Sequence, residues 1–194
     1  FFDMLKKYDD VTTSQVDLTA AEDTLRSLAE SGKDILYIAF SSGLSGTYSA
    51  VKMIGEDLSE EFPERKIFVI DSLCASGGEG LLCYLAAKKK EGGLSIEELR
   101  DWVENNKLRI CHWFTVDDLD HLKRGGRISA ATATIGGLLK IKPIMYMDRE
   151  GHLTPNSKAA GRSMSFDAIV NKMEKHSNTP EFDTVMISQA QCHT

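Results

Sequence analysis

Two buried strand patterns separated by a helix pattern constrain the fold of this chain more than any other feature. The segment DILYIAF, residues 34–40, is apolar at nearly every position, and the segment RKIFVIDS, residues 65–72, repeats the scheme. Continuous apolar runs are typical of strands that are covered on both faces. A helix pattern over residues 47–58 lies between the two runs. This order predicts a βαβ unit with a parallel sheet.

Further helices are predicted on both sides of these strands. Thr19 with Glu22 and Ser95 with Glu98 have the spacing of a capping box, which marks the start of a helix. A glycine-rich turn over residues 75–80 is predicted before the helix pattern LLCYLAAKKK. The first eight residues also have apolar positions at helical spacing.

The pattern changes near residue 110, beyond which mixed polarity predicts an α+β unit. The expected elements are a short helix ended by Gly125 and Gly126, a hairpin turn at Glu150 and Gly151, a helix over residues 163–177 and a last strand over 182–188. We therefore predict an α/β fold of two domains. Residues 1–110 form a parallel-sheet domain, and residues 111–194 form an α+β domain with a largely antiparallel sheet.

Composition excludes several classes of protein. The net charge of −6 argues against non-specific nucleic-acid binding, which depends on basic surfaces. The four cysteines have no metal-ligand spacing, which favours reduced thiols and a cytoplasmic location. No apolar run is long enough to span a membrane. The chain begins without methionine, and we expect both domains to be incomplete, with a strand and helix upstream and further residues downstream.

The richest candidate site is the stretch FSSGLSGTYSAV, residues 40–51, directly after the first strand. Its first nine residues, 40–48, carry five hydroxyl side chains and two glycines, at 43 and 46; the hydroxyls are Ser41, Ser42, Ser45, Thr47 and Tyr48. Ligands of open parallel sheets bind beyond the carboxyl ends of the strands, and a helix N-terminus favours anions. The same residue types also favour helix caps and turns. The stretch therefore predicts either an ordinary cap or a site for an anionic head group.

Two other segments could act with this stretch. TTSQ, residues 12–15, is a second hydroxyl cluster placed before a helix, and we expect it to face the serine-rich loop. KRGGRIS, residues 123–129, has two arginines around a glycine pair, which would permit close backbone approach. The alternative for the second segment is a surface turn whose basic residues suit a helix C-terminus.

Taken together, these segments resemble one known family. TTSQ, AFSSGLSGTYSAV, VIDSLCASGGEGLL, FTVDDLDHLKRGGRIS and GGLLKIKPIMYMDREGHL occur in one order and spacing that is similar to the DegV family of bacterial fatty-acid-binding proteins. The resemblance implies a two-domain fold that encloses one long-chain fatty acid, such as palmitate, stearate or oleate. It further implies that hydroxyl groups at the domain interface hold the carboxylate, while the acyl tail lies in an apolar tunnel.

The resemblance also assigns residues to the head group. The threonine of the TSQ motif falls on Thr13 and the serine of LSGTY on Ser45, so these are the two expected carboxylate ligands. Ser14, Ser41 and Ser42 are expected to orient or supplement them.

Three arginines are the candidates for head-group contact or phosphate transfer: Arg124, Arg127 and Arg162. In some family members a separate fatty acid kinase phosphorylates the bound acid for phospholipid synthesis. The resemblance therefore implies a non-catalytic carrier without a cofactor, with a kinase as partner and transient contact with membranes. We expect no bound metal, because the histidines and the acidic residues 117, 118 and 120 lack ligand spacing.

Apolar residues of the second half are candidates to line the tail, although an ordinary core explains the same pattern. They are Ile135, Leu138, Leu139, Ile141, Ile144, Met145, Phe166 and Ile169. This chain departs from the family pattern where Val16 and Asp17 replace proline and serine of TSQPS. Basic residues are lost around Arg162, and Gln189 stands where relatives often have histidine.

Two functions other than that of a lipid carrier are also compatible with the sequence. One is an enzyme related to dihydroxyacetone kinases, which would need metal-ligating carboxylates and a nucleotide loop; the sequence has no GxxxxGK[ST] motif. The other is a lipid-sensing protein that regulates a partner. Asp71, at the end of the second strand, is predicted to be a structural hydrogen-bond acceptor rather than a catalytic acid.

Overall fold

A computed structural model describes residues 4, 7, 8, 11–117, 119–129, 141–177 and 184–190. The chain divides into two compact units, residues 14–110 and residues 1–13 with 111–194. The sequence pattern places residues 1–13 in the first domain instead, and that detail of the domain assignment stays a prediction.

The unit of residues 14–110 is an α/β unit with a parallel pair of strands. In chain order its elements are α1 (Leu18–Glu30), β1 (Ile35–Ala39), α2 (Thr47–Glu61), β2 (Ile67–Asp71), α3 (Ser76–Glu91) and α4 (Ile96–Asn106), followed by a 3₁₀ turn (Lys107–Arg109). The strands are in parallel register from Ile35 opposite Ile67 to Ala39 opposite Asp71. The predicted parallel sheet is confirmed.

Both faces of this sheet are covered, which explains the continuous apolar runs of the strands. Alternate strand residues contact different helices, since successive side chains of a strand point to opposite faces. Ile35 packs with residues of α1 and α2 in one cluster. Ile70 packs with residues of α3 and α4 in the other cluster.

The other unit contains the predicted antiparallel sheet. Its elements are β3 (Trp113–Thr115), α5 (Asp120–Arg124), β4 (Ile141–Met147), β5 (Leu153–Ala160) and α6 (Arg162–His176), with strand order β3-β4-β5. The predicted hairpin turn is confirmed: the Asp148 N–H donates to the carbonyl of His152 at 3.0 Å, and Gly151 has a φ of 78°. Glycine adopts this left-handed conformation without the steric cost that other residues meet.

Three local predictions were wrong. The N-cap of α1 is Asp17, whose carboxylate accepts from the Ala20 N–H at 3.1 Å, and Thr19 is already helical. The expected glycine-rich turn over residues 75–80 is instead the first part of α3, which begins at Ser76. The described part of the last predicted strand, residues 184–188, has no regular structure. The helix predicted over residues 1–8 falls mostly outside the described residues.

Candidate functional site

The hydroxyl-rich loop, residues 40–46, connects β1 to α2, and Ser41 organises it from its buried side. This residue is fully buried, and its backbone N–H donates to the carbonyl of Cys74 at 3.0 Å. Its own carbonyl accepts from the N–H groups of Leu44 and Ser45, both at 3.1 Å. Its hydroxyl accepts from the Gly43 N–H at 3.2 Å. Ser41 thus fixes the path of the loop that presents Ser45.

A second loop, residues 72–75, follows β2 and is bonded to the first. The carboxylate of Asp71 accepts from the Ser42 N–H and from the Leu73 N–H, both at 3.1 Å. The carbonyl of Asp71 accepts from the Lys107 ammonium at 2.9 Å. Asp71 is therefore the structural hydrogen-bond acceptor that the sequence predicted. The exposed Ser42 lies on this bonded edge, where its side chain faces solvent.

Ser45 and Thr47 form a hydroxyl pair at the start of α2. Their hydroxyl oxygens are 2.9 Å apart, and the Ser45 hydroxyl also accepts from the Thr47 N–H at 3.2 Å. Thr47 is buried, whereas Ser45 is partly exposed. The Ser45 hydroxyl is therefore held in place, in a residue that is itself partly exposed.

Val16, directly after the TTSQ segment, bonds to this hydroxyl pair. The Val16 N–H donates to the Thr47 hydroxyl at 3.3 Å. A proline at this position, as in the family motif, has no N–H to donate. Gln15 also lies close to Gly46: a Cβ atom placed on Gly46 would be 2.8 Å from the side-chain oxygen of Gln15. Residues 15 and 16 therefore lie against the hydroxyl-rich loop.

The hydroxyl-bearing residues of the TTSQ segment are exposed. The Ser14 hydroxyl donates to the carbonyl of Gln15 at 3.2 Å. Thr13 is exposed and falls in the other compact unit. Asp17 caps α1, so its carboxylate is engaged with the helix N-terminus. The assignment of Thr13 and Ser14 to the head group stays a prediction.

Burial suppresses the reactivity of the Cys74 thiol in the second loop. Burial, with a further contribution from Glu79, raises the pKa of Cys74 to about 12. Burial also raises the pKa of Glu79, in the first turn of α3, above its ordinary value. Because the thiolate is the nucleophilic form, Cys74 is protonated at neutral pH and suits a packing role.

The candidate arginines have different surroundings. The Arg162 guanidinium forms an ion pair with Asp117 and donates to the Thr115 hydroxyl at 3.4 Å. Asp117 also pairs with Lys142 at 3.0 Å, and Lys142 followed by Arg162 holds the pKa of Asp117 below its ordinary value. A phosphate at Arg162 would therefore compete with a carboxylate already bound there.

The other two arginines lie at the C-terminal end of α5 and in the turn that follows it. Arg127 donates to the carbonyl of Gly125 at 2.5 Å, which closes the turn after the helix. Arg124 is an exposed residue in the last turn of α5. Their predicted contact with the head group or a partner stays a prediction.

The candidate lining residues divide between core and surface. Ile144 and Met145 are fully buried, and Met145 packs with Leu119 and Ile128 in the core of its unit. Ile141 and Ile169 are half-buried, and Phe166 is exposed. Three candidates lie outside the described residues: Ile135, Leu138 and Leu139.

Two observations on the described ranges bear on other functions. Within them, no group of three or more histidine, cysteine, aspartate or glutamate side chains could hold a metal ion. Across the same part of the chain, we find no helix whose length and hydropathy suit a membrane span.

Sequence reasoning missed the role of Thr47 as the partner of Ser45. Its position two residues after Ser45, at the first residue of a helix, was the available signal, since Ser-x-Thr at a helix start favours side-chain bonds to nearby N–H groups. Which hydroxyl bonds to which depends on backbone geometry that residue types alone do not specify.

Comparison with known proteins supports the family resemblance that the sequence motifs indicated. A relative from Clostridium perfringens, described as a DegV domain-containing protein, is 43% identical over 192 residues, which cover 99% of this chain and 66% of that protein. A stearic-acid-binding protein from Eubacterium ventriosum has a similar structure, with a TM-score of 0.77, 26% identity, and coverage of 85% of this chain and 56% of the other.

A second similar structure belongs to a protein whose name refers to a fatty acid kinase. The fatty acid kinase (Fak) B3 protein of Streptococcus pneumoniae, loaded with linoleic acid, has a TM-score of 0.73 and 28% identity, covering 85% of this chain and 56% of that one. The chain thus spans less than two thirds of the length of these relatives. A family model described as an uncharacterised protein of the DegV family matches residues 1–194, and this chain belongs to that family.

Proposed function

We propose that this chain binds one long-chain fatty acid, such as palmitate, stearate or oleate, with Ser45 as a ligand of the carboxylate and the acyl tail in an apolar channel. The observation that carries the proposal is the hydroxyl of the partly exposed residue Ser45, which is bonded to buried Thr47 where β1 leads into α2. The bound stearic and linoleic acids of two similar structures support it.

The chemistry of the loop suits a carboxylate. A carboxylate accepts several hydrogen bonds, and hydroxyl donors satisfy them without a metal ion or a buried cation. Each buried CH₂ of the tail contributes about 0.8 kcal/mol, so a tail of about sixteen such groups contributes about 13 kcal/mol before ordering costs. The tail therefore dominates affinity, and the hydroxyls set the orientation of the acid. Thr13 is the second proposed ligand, on the strength of the TSQ motif.

The proposed role is that of a non-catalytic carrier, located in the cytoplasm, that presents the acid to a fatty acid kinase. The name of the Streptococcus pneumoniae relative supports a kinase partner. Arg124, Arg127 and Arg162 are the cations we assign to the transferred phosphate or to the surface that meets the kinase. For Arg162 this role requires that its ion pair with Asp117 opens.

Titration of the protein with palmitate tests the proposal. We expect Ser45→Ala to weaken binding at least tenfold, because a hydrogen bond to a charged group contributes about 1.5–3 kcal/mol. Ser59→Ala is the matched control, since its hydroxyl donates to the carbonyl of Gly55 within α2 at 2.7 Å. Combining Ser45→Ala with Thr13→Ala should weaken binding further. Equal affinities of the Ser45→Ala and Ser59→Ala variants would overturn the assignment of Ser45.

A further inference from the structure

The hydroxyl pair of Ser45 and Thr47 leaves only two arrangements of protons. Each hydroxyl donates one hydrogen bond and accepts up to two. Thr47 accepts from the Val16 N–H at 3.3 Å, and Ser45 accepts from the Thr47 N–H at 3.2 Å. The single bond between the two hydroxyl oxygens, at 2.9 Å, can be donated by either residue.

Burial distinguishes the two arrangements. If Ser45 donates to Thr47, the Thr47 proton has no acceptor among the described residues, and Thr47 is only 8% exposed. A buried donor without a partner costs free energy, which disfavours that arrangement. If Thr47 donates to Ser45, every buried group of the pair is satisfied. The proton of the partly exposed Ser45 then becomes the one that points to an external acceptor.

We propose that Thr47 is a positioning residue that makes the Ser45 hydroxyl an obligate donor and thereby selects a carboxylate as the head group. This inference rests on the proposed function. The three donors then point in one direction, from the Val16 N–H through Thr47 and Ser45 to the carboxylate. Hydrogen bonds in such a chain polarise one another, which strengthens the last bond to an anion.

The test measures palmitate affinity in a double-mutant cycle of Thr47→Val and Ser45→Ala. We expect Thr47→Val to weaken binding about fivefold to tenfold in the wild-type background. In the Ser45→Ala background it should have no further effect, since Thr47 acts through Ser45. Thr47→Ser keeps the hydroxyl and should retain most of the affinity.

Two further variants make the cycle interpretable. Thr24→Val is the matched control, because the exposed Thr24 hydroxyl donates to the carbonyl of Ala20 at 2.7 Å within α1. Thermal melting verifies that each variant is folded, and Thr47→Ala removes the hydroxyl by a second route if the valine variant is unstable. The carboxyl resonance of palmitate labelled with ¹³C at C1 should shift in Thr47→Val and return in Thr47→Ser, since it reports hydrogen bonding to the head group.

The outcomes separate this inference from the proposed function. If the wild-type protein does not bind palmitate, the proposed function fails, and this inference fails with it. If the wild type binds and the Thr47→Val and Ser45→Ala losses multiply, Thr47 acts independently of Ser45, and only this inference is overturned. The same holds if Thr47→Val leaves the affinity and the carboxyl resonance unchanged.

Discussion

The carboxylate of Asp71 accepts a hydrogen bond from the backbone N–H of Ser42 at 3.1 Å, although the two residues are 29 positions apart. The same oxygen accepts from the Leu73 N–H at 3.1 Å, and Leu73 has a φ of 53°, which is rare for a residue with a side chain. One oxygen thus bonds to both loops at the carboxyl ends of β1 and β2. We expect the position of the hydroxyl-rich loop to depend on this bond.

Replacing Asp71 tests that dependence. We expect Asp71→Ala to lower the free energy of unfolding by about 1–2 kcal/mol, because two backbone N–H groups lose a charged acceptor. Asp71→Asn retains one oxygen acceptor and should cost less. Urea unfolding at neutral pH measures both values. An alanine variant as stable as the asparagine variant would show that the carboxylate does not hold the loops.

Gly55 allows α2 to lie close to β2. A Cβ atom at this position would be 2.8 Å from Cγ2 of Val69 and 3.7 Å from Cγ2 of Ile67. We expect Gly55→Ala to destabilise the protein by about 1–3 kcal/mol through overpacking, less a helix-propensity gain of about 1 kcal/mol.

The Val69→Ala background provides the control for this prediction. It removes the methyl group that the new Cβ would meet, so the same Gly55→Ala change should there be neutral or stabilising. Unfolding free energies of the four proteins measure the coupling. A Gly55→Ala effect of equal size in both backgrounds would rule out the Val69 contact as its cause.

The capping box of α4 is a separate contribution to stability. The Ser95 hydroxyl accepts from the Glu98 N–H at 3.3 Å, and the Glu98 carboxylate accepts from the Ser95 N–H at 2.8 Å. We expect Ser95→Ala to lower the free energy of unfolding by about 1 kcal/mol, and Ser95→Asp, which also caps, to stay close to wild type. Urea unfolding measures both changes. Equal losses in the two variants would contradict the capping role.

Glu79 gives a prediction about pH. Its pKa is raised above the ordinary value of 4.5 by burial, so the folded protein binds this proton more tightly than the unfolded chain. Stability from this group is therefore lost as the pH rises through the window between the ordinary and the raised pKa. Glu79→Gln, which stays neutral, should be more stable than wild type at pH 7.

The advantage of Glu79→Gln should vanish below about pH 4, where the carboxyl group is protonated in both states. Unfolding free energies of wild type and variant at the two pH values provide the measurement. A variant that is equally stabilised at both values would show that the glutamate charge is not responsible.

Patterns that depend on local chemistry could be predicted from the sequence. The parallel sheet followed from two apolar runs, because both faces of β1 and β2 are covered by helices. The capping box at Ser95 and the hairpin turn at Gly151 followed from side-chain bonding and from glycine's access to positive φ. These last two features involve residues only a few positions apart.

Features that depend on tertiary context could not be predicted. Asp17 and Thr19 both suit an N-cap, and the structure selects Asp17 because its backbone is extended while Thr19 is helical. The glycines of residues 77–80 disfavour a helix, but buried Leu82 and Ala86 anchor α3 in the core. Residues 184–188 have the composition of a strand, yet none of the described strands pairs with them.

The candidate site was predicted as a set of hydroxyls but not as an arrangement. Sequence reasoning assigned Ser45 to the head group and treated Ser41 as its neighbour. In the structure Ser41 is buried inside the loop, and buried Thr47 is the hydroxyl bonded to Ser45. Val16, which departs from the family motif, supplies a backbone donor to Thr47.

Native mass spectrometry of the purified full chain, followed by solvent extraction, identifies any lipid that the protein carries. We expect one long-chain fatty acid per chain, which is released on extraction and is lost when Ser45→Ala and Thr13→Ala are combined. A protein that is empty as purified, and that also fails to bind added palmitate or oleate, would contradict the proposed function.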